Sequence, residues 1–124
     1  MRIIISNSSD EPIYEQISKQ VKTQILKGEL KEGDLLPSIR ALARDLQISV
    51  ITTKRAYEEL EREGFIETVQ GKGSYVSGQN KELMKEKKLN IIEEKLAEIV
   101  EESKALGITY KEIEDILKIL FEEV

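Results

Sequence analysis

At 124 residues, with 40% hydrophobic and 35% charged side chains, the chain can build one small core under a heavily charged surface, which argues against disorder. It contains neither Cys nor His, which removes disulfides, thiolate chemistry, and the commonest general base and metal ligand. The formal charge of −5 opposes a polyanionic partner as a sum, but the acid excess sits late: Met1–Gly78 carries 11 Lys/Arg against 12 Asp/Glu, and Gln79–Val124 carries 8 against 12.

In chain order, Arg2–Ile5 is a short β-prone stretch, followed by the turn-like run Ser6-Asn7-Ser8-Ser9-Asp10. A first helix follows, with Asp10 or Glu11 serving its N-terminus, Pro12 in its first turn and Gly28 just past its end. Ile13, Ile17, Val21 and Ile25 recur every four residues along its apolar face. Ser38 caps a second helix, Ile39 to Leu46, with Ile39, Leu42, Ala43 and Leu46 facing inward. Gln47-Ile48 makes a turn, and Ser49 caps a third helix that runs to about Glu63 and buries Thr53, Ala56, Tyr57 and Leu60. Phe65–Val69 and Ser74–Ser77 read as two strands joined through Gln70-Gly71-Lys72-Gly73.

Asn80 opens a long fourth helix to about Leu106. Its Leu89, Ile92, Leu96, Ile99 and Leu106 keep a three-four spacing, with one gap at Ser103. Gly107 ends it, and Thr109-Tyr110-Lys111-Glu112 is a capping box for a fifth helix with Ile113, Ile116, Leu117, Leu120 and Val124 on one side. The predicted fold is therefore mainly α with a small β-hairpin. The expected boundaries are an N-terminal domain over 1–78 and a helical segment over 79–124.

Helix, helix, turn, helix, hairpin is the order of a winged helix-turn-helix, in which the third helix enters the major groove with its first residues at base edges. Glycines at the hairpin tip allow backbone to approach the sugar-phosphate wall, and Lys72 between them can reach phosphate or the minor groove. No glycine-rich phosphate loop is present, and no titratable pair in a pocket can be placed, so no enzyme and no cofactor or metal is expected. Apolar runs as short as Ile3–Ile5 cannot span a bilayer, and no export leader opens the chain, so the expected location is the cytoplasm, with no membrane partner.

Met1–Ser77 resembles the winged-helix domain of the GntR transcriptional regulators. The matching motifs are LPSIRALA, RAYEELEREGFI and GKGSYV, in this order and spacing. The short tail is similar to that of the YtrA subfamily, whose members carry a small two-helix dimerisation segment. The resemblance implies a DNA-binding regulator, a repressor that holds a two-fold operator as a homodimer, with no small-molecule effector assigned. It implies DNA contacts from Ser38 and Arg40 at the start of the second helix, from Ser49, Val50, Ile51, Thr52 and Lys54 at the start of the third, and from Gly71, Lys72 and Gly73 at the wing. The last two helices carry more apolar face than so short a tail can hide by itself, so a two-fold dimer built from Leu89, Ile92, Leu96, Ile99, Ile113, Leu117 and Leu120 is expected. Val50 and Ile51 depart from the polar or basic residues that relatives carry there, and Lys54 replaces a frequent Arg. Two apolar residues at the reading end fit thymine methyl groups or sugar better than further hydrogen bonds.

Blander readings stand beside these. Arg40 could pair with Asp45 or with Glu residues nearby, although the motif around it favours DNA. Arg55 is open between a phosphate contact and a salt bridge within the domain. Tyr14 is open between phosphate and packing. Arg44, Arg62 and the run Lys81, Lys85, Lys87 and Lys88 read as solvated helix faces. Tyr57 reads as core with a hydroxyl in water, and Tyr75 as packing. The alternative function is a winged helix used for protein interaction, its DNA face idle. Gly78-Gln79-Asn80 is the expected hinge between wing and tail.

Overall fold

The computed structural model describes residues 1–78 and 81–123. Its elements are α1 (Ile13–Leu26), α2 (Ile39–Leu46), α3 (Val50–Arg62), β1 (Ile66–Val69), β2 (Gly73–Val76), α4 (Lys81–Leu106) and α5 (Tyr110–Glu123). They fall into two compact units, Met1–Met84 and Lys85–Val124. Among the described residues, no helix is long and apolar enough to cross a membrane.

The first unit is built on α3, which packs against α1, α2 and β1. Ile17, Val21 and Ile25 of α1 meet a core completed by Thr53, Ala56, Tyr57 and Leu60 of α3, Leu42 and Ala43 of α2, and Phe65, Ile66 and Val76 of the hairpin. Ile13, Ile39 and Leu46, expected inside, are only half-buried because they lie where their helices end. Each fully buried aliphatic side chain contributes about 1.5–3 kcal/mol from apolar area removed from water.

Local chemistry sets the helix ends. No side chain caps α1, contrary to the expectation for Asp10 or Glu11. Pro12 itself is the N-cap, and its carbonyl accepts from the N–H groups of Glu15 and Gln16. Past the C-termini of α1, α2 and α3 the same pair of bonds recurs. For α3, the Phe65 N–H donates to the Leu60 carbonyl and the Gly64 N–H to that of Glu61. This Schellman arrangement needs a left-handed residue, supplied by Gly28 after α1 and Gly64 after α3. After α2 the residue is Gln47, at φ 56°, the one non-glycine residue with positive φ among those described.

Arg2–Ile5 forms no strand. It is held instead by three glutamines one helical turn apart on α1, each bonding reciprocally to backbone. Gln16 takes the Ser6 N–H at 2.8 Å and donates to its carbonyl at 3.0 Å. Gln20 does the same for Ile4 at 2.8 and 2.7 Å, and Gln24 for Arg2 at 3.4 and 2.6 Å. The registers match because four residues of helix rise about 6 Å and two residues of extended chain about 6.6 Å.

The hairpin pairs antiparallel with Ile66 opposite Val76 and Val69 opposite Gly73. The first strand starts one residue later than expected, and the second is shifted by one residue toward the tip, so that it includes Gly73 and leaves out Ser77. Residues 33–36 run along the free edge of β2, with bonds from Gly33 N–H to Val76, Leu36 N–H to Ser74 and Val76 N–H to Asp34.

In the second unit, Glu112 accepts from the Thr109 N–H at 3.1 Å while the Glu112 N–H donates to Thr109 Oγ1 at 3.3 Å, which completes the capping box. The same carboxylate accepts from the Thr109 hydroxyl, and these bonds hold it below its ordinary pKa. Gly107 and Ile108 close α4 with the same bond pair seen after the earlier helices. Among the described residues of this unit, α4 and α5 do not pack along one another. Leu89, Ile92, Leu96, Ile99, Leu117 and Leu120 are all exposed, and Ile113 is half-buried. Asn80 and Val124, assigned to the start of α4 and the face of α5, lie outside the described residues.

Candidate nucleic-acid interface

The start of α3 follows α2 after three residues, and each helix opens on a serine. Ser38 Oγ accepts from the Ala41 N–H at 3.1 Å. Ser49 Oγ accepts from the Thr52 N–H at 3.0 Å and donates to Thr52 Oγ1 at 2.8 Å. Three of the expected contact residues therefore already form the caps that hold the two N-termini open. The positive ends of both helices remain available to an anion, together with their first unbonded N–H groups.

Tyr57 ties these two ends together. Its ring is buried on α3, and its hydroxyl donates to the Pro37 carbonyl at 2.6 Å, immediately before α2. The hydroxyl is thus not in water, as the sequence suggested. Burial pushes its pKa up to about 12, so it stays a neutral donor at physiological pH. Thr53, also fully buried, returns its hydroxyl to the Ser49 carbonyl at 3.1 Å.

Against this scaffold the outward residues carry the chemistry. Val50 and Ile51 are 47% and 80% exposed at the first turn of α3, where nothing in the core calls for an apolar side chain. Arg40 is exposed and makes no ion pair among the described residues, so the pairing with Asp45 does not form. Lys54 lies 3.9 Å from Glu58 with both groups exposed, a contact worth only about 0.2–0.5 kcal/mol and easily exchanged. From Leu35 to Tyr57 the chain carries Arg40, Arg44, Lys54 and Arg55 against the single acid Asp45. The acids of α3 are all in its second half, at Glu58, Glu59 and Glu61. A domain of nearly zero net charge thus has one basic end, at the reading end of α3.

Among the described residues, Arg55 forms no salt bridge. Its guanidinium lies 3.9 Å over the ring of Tyr14, a contact between residues 41 apart that no local pattern announces. Arg62 pairs with Glu59, which together hold the guanidinium further on its charged side.

The wing tip is a turn over 69–72, closed by the Lys72 N–H on the Val69 carbonyl at 2.9 Å. Its third residue, Gly71, has φ +80°, which L side chains rarely adopt. A Cβ on Gly71 would meet nothing within 4 Å, whereas one on Gly73 would sit 3.2 Å from Leu35. Lys72 is exposed at the tip, and the Tyr75 hydroxyl donates to its carbonyl at 3.3 Å. Gly71→Val is therefore the cleaner test. It strains one backbone position by about 1–3 kcal/mol and fills the approach surface without touching the core. We expect DNA affinity to fall at least severalfold while the protein stays folded by circular dichroism at 25 °C. Gly71→Asn, which tolerates the conformation better, should lose less. Equal affinity for all three proteins would remove the tip from the interface.

The model of the bacterial regulatory proteins of the gntR family matches residues 13–76. The HTH-type transcriptional repressor YtrA of Bacillus subtilis (strain 168) is 40% identical over 116 residues, which is 94% of this chain and 89% of that protein. Among solved structures, a GntR family transcriptional regulator from Listeria monocytogenes superposes with a TM-score of 0.78 at 33% identity, covering 92% of this chain and 97% of its own. YtrA from Sulfolobus acidocaldarius, a GntR-family transcription factor, gives 0.59 at 35% identity, covering 98% of each chain.

Proposed function

Because the chain belongs to the GntR family and is a DNA-binding transcriptional regulator, we propose that it is a repressor that occupies a two-fold operator as a homodimer. The printed name of the Bacillus subtilis relative, a repressor, supports the sign of the regulation. Residues 1–78 are the DNA-binding domain and 79–124 the dimerisation segment. The site of action is the cytoplasm, and the partner is double-stranded DNA.

The observation that carries the reading is the basic end of the first unit, where two serine-capped helix starts stand beside Arg40, which is exposed and makes no ion pair among the described residues. In operation, α3 lays Val50, Ile51, Thr52 and Lys54 into the major groove. Ile51 contributes apolar contact with thymine methyl groups, and Lys54 exchanges Glu58 for a base edge or phosphate. Arg40, with Ser38 beside it, fixes the domain on the backbone. Ser49 sets the angle at which α3 enters. The wing carries Lys72 to the neighbouring phosphates or minor groove, and Gly71 and Gly73 allow the approach. The half-buried and exposed face of Leu89, Ile92, Leu96, Ile99, Ile113, Leu117 and Leu120 is covered by a second copy, which makes the assembly two-fold and its site palindromic.

The test is titration of a random-sequence duplex over a salt series, followed by selection of bound DNA from a random pool. The wild type should bind with an affinity that falls steeply with salt. Arg40→Ala should weaken binding about equally on random and selected DNA and reduce the salt slope by roughly one ion. Selection should return a two-fold sequence. Absence of salt-dependent binding would favour a protein-interaction role for the winged helix.

A further inference from the structure

We propose that Arg55, laid over Tyr14, is a DNA phosphate clamp that extends the interface from α3 onto the start of α1. The inference rests on the reading that α3 enters the major groove, and concerns a pair not among the contacts assigned above.

Position comes first. The buried stripe of α3 is Thr53, Ala56, Tyr57 and Leu60, and Ile51 and Arg55 lie one turn apart on the opposite side. Helices α1 and α3 pack together, and Lys22 of α1 pairs with Glu63 at the end of α3, eight residues beyond Tyr14 and Arg55 respectively. The two helices therefore advance side by side, which sets Tyr14 next to the first half of α3. With Ile51 at a base edge, a side chain one turn deeper that leans toward α1 points at the wall of the groove, where the phosphates are.

The chemistry fits that place. Arg55 Nη2 donates to the Tyr14 hydroxyl at 3.3 Å, and its guanidinium carbon is 3.9 Å from the ring centroid. Stacking on an aromatic face fixes the plane of the fork without using the other N–H donors, and a planar fork suits bidentate contact with phosphate. The carboxylates that could compete are engaged: Glu59 with Arg62, Glu58 loosely with Lys54, and Glu15 as acceptor of the Tyr14 hydroxyl at 3.3 Å. The exposed side chain is thus a prepositioned cation whose rotamer entropy is already spent. Tyr14 is the positioning residue, acting through Arg55.

The experiment compares wild type, Arg55→Met, Tyr14→Leu and the double variant on a random-sequence duplex across a salt series, with thermal melts of each. Arg55→Met keeps the aliphatic stem but lacks the charge. It should weaken binding about fivefold at low salt and flatten the salt slope by roughly one ion. Tyr14→Leu should weaken binding by a smaller factor in the wild-type background and by nothing in the Arg55→Met background, because it acts through Arg55. A lower melting temperature with an unchanged slope in Arg55→Met would make the pair a structural staple and overturn the proposal. Additive losses of affinity would overturn Tyr14 as a positioning residue. If Arg40→Ala lowers the slope and Arg55→Met does not, only this proposal fails. If the wild type shows no salt-dependent binding, the functional reading fails with it.

Discussion

Introducing glutamate at both Leu96 and Leu117 leaves the protein monomeric and lowers its affinity for a two-fold DNA site by about two to three orders of magnitude. The second unit has two helices with no extended contact between them, and its apolar side chains face solvent along both. Tyr110 and Phe121 on α5 are 80% and 82% exposed. Such surface is rarely left in water on a small protein and marks an interface. On α4, positions 89, 92, 96, 99, 103 and 106 alternate steps of three and four, the seam of a coiled coil, with Ser103 as the single polar member. Ser103 spends its hydroxyl on the Ile99 carbonyl at 2.6 Å, so it can enter an apolar seam without an orphaned group. A carboxylate at Leu96 or Leu117 would have to be desolvated there with no partner, which costs several kcal/mol per ion. With the dimer gone, the second half-site binds as an independent event, and the gain from linkage disappears. Light scattering reads the mass, and titration on selected DNA reads the affinity. A variant that stays dimeric, or a wild type that is monomeric at micromolar concentration, would refute the assignment of this face.

Leu60→Ala gives the largest expected loss of stability. Leu60 has no solvent exposure, stands on the central helix of the first unit, and carries the carbonyl that receives the Phe65 N–H where the chain turns into the hairpin. Removing its isobutyl group forfeits burial and leaves a cavity in a core where Ile17, Val21 and Ile66 are also fully buried and cannot open to water. The cost is about 3 kcal/mol within a range of roughly 2–5 for such substitutions. Against a total of about 5–15 kcal/mol, that lowers the melting temperature by roughly 15 °C. Circular dichroism melts measure it. A drop of only a few degrees would mean that the core relaxes to fill the space. At 10 °C the variant should still bind DNA, because no contact residue has changed.

The features legible in the sequence were those that local chemistry determines. Ser38 and Ser49 announce their caps, Thr109 and Glu112 theirs, and the stripe Thr53, Ala56, Tyr57 and Leu60 was readable from periodicity alone. Illegible were contacts between polar groups far apart in the chain, which leave no periodic apolar trace. Gln16, Gln20 and Gln24 look like a solvated helix face until residues 2–6 are laid beside them. The pairing of residues 33–36 with β2 lacks a turn signal to join them. Tyr14 and Arg55 could be suspected singly, but nothing in the order of residues says that they touch. The hinge expected at Gly78-Gln79-Asn80 falls partly on residues 79 and 80, outside those described.

The junction between α2 and α3 constrains how this protein can be regulated. Only Gln47, Ile48 and Ser49 separate the helices, and none has a torsion to spare. Gln47 is left-handed, with its N–H on the Arg44 carbonyl. Ile48 closes back on Ala43, and Ser49 is already bonded to Thr52. From outside this turn, Tyr57 adds a strut to Pro37. A joint with no slack cannot be geared: an input arriving from elsewhere has no way to tilt α3 within its own domain. It would have to carry the whole first unit along with it, so in the dimer proposed above control would be exercised as a change of separation between the two DNA-binding units, each keeping its own shape.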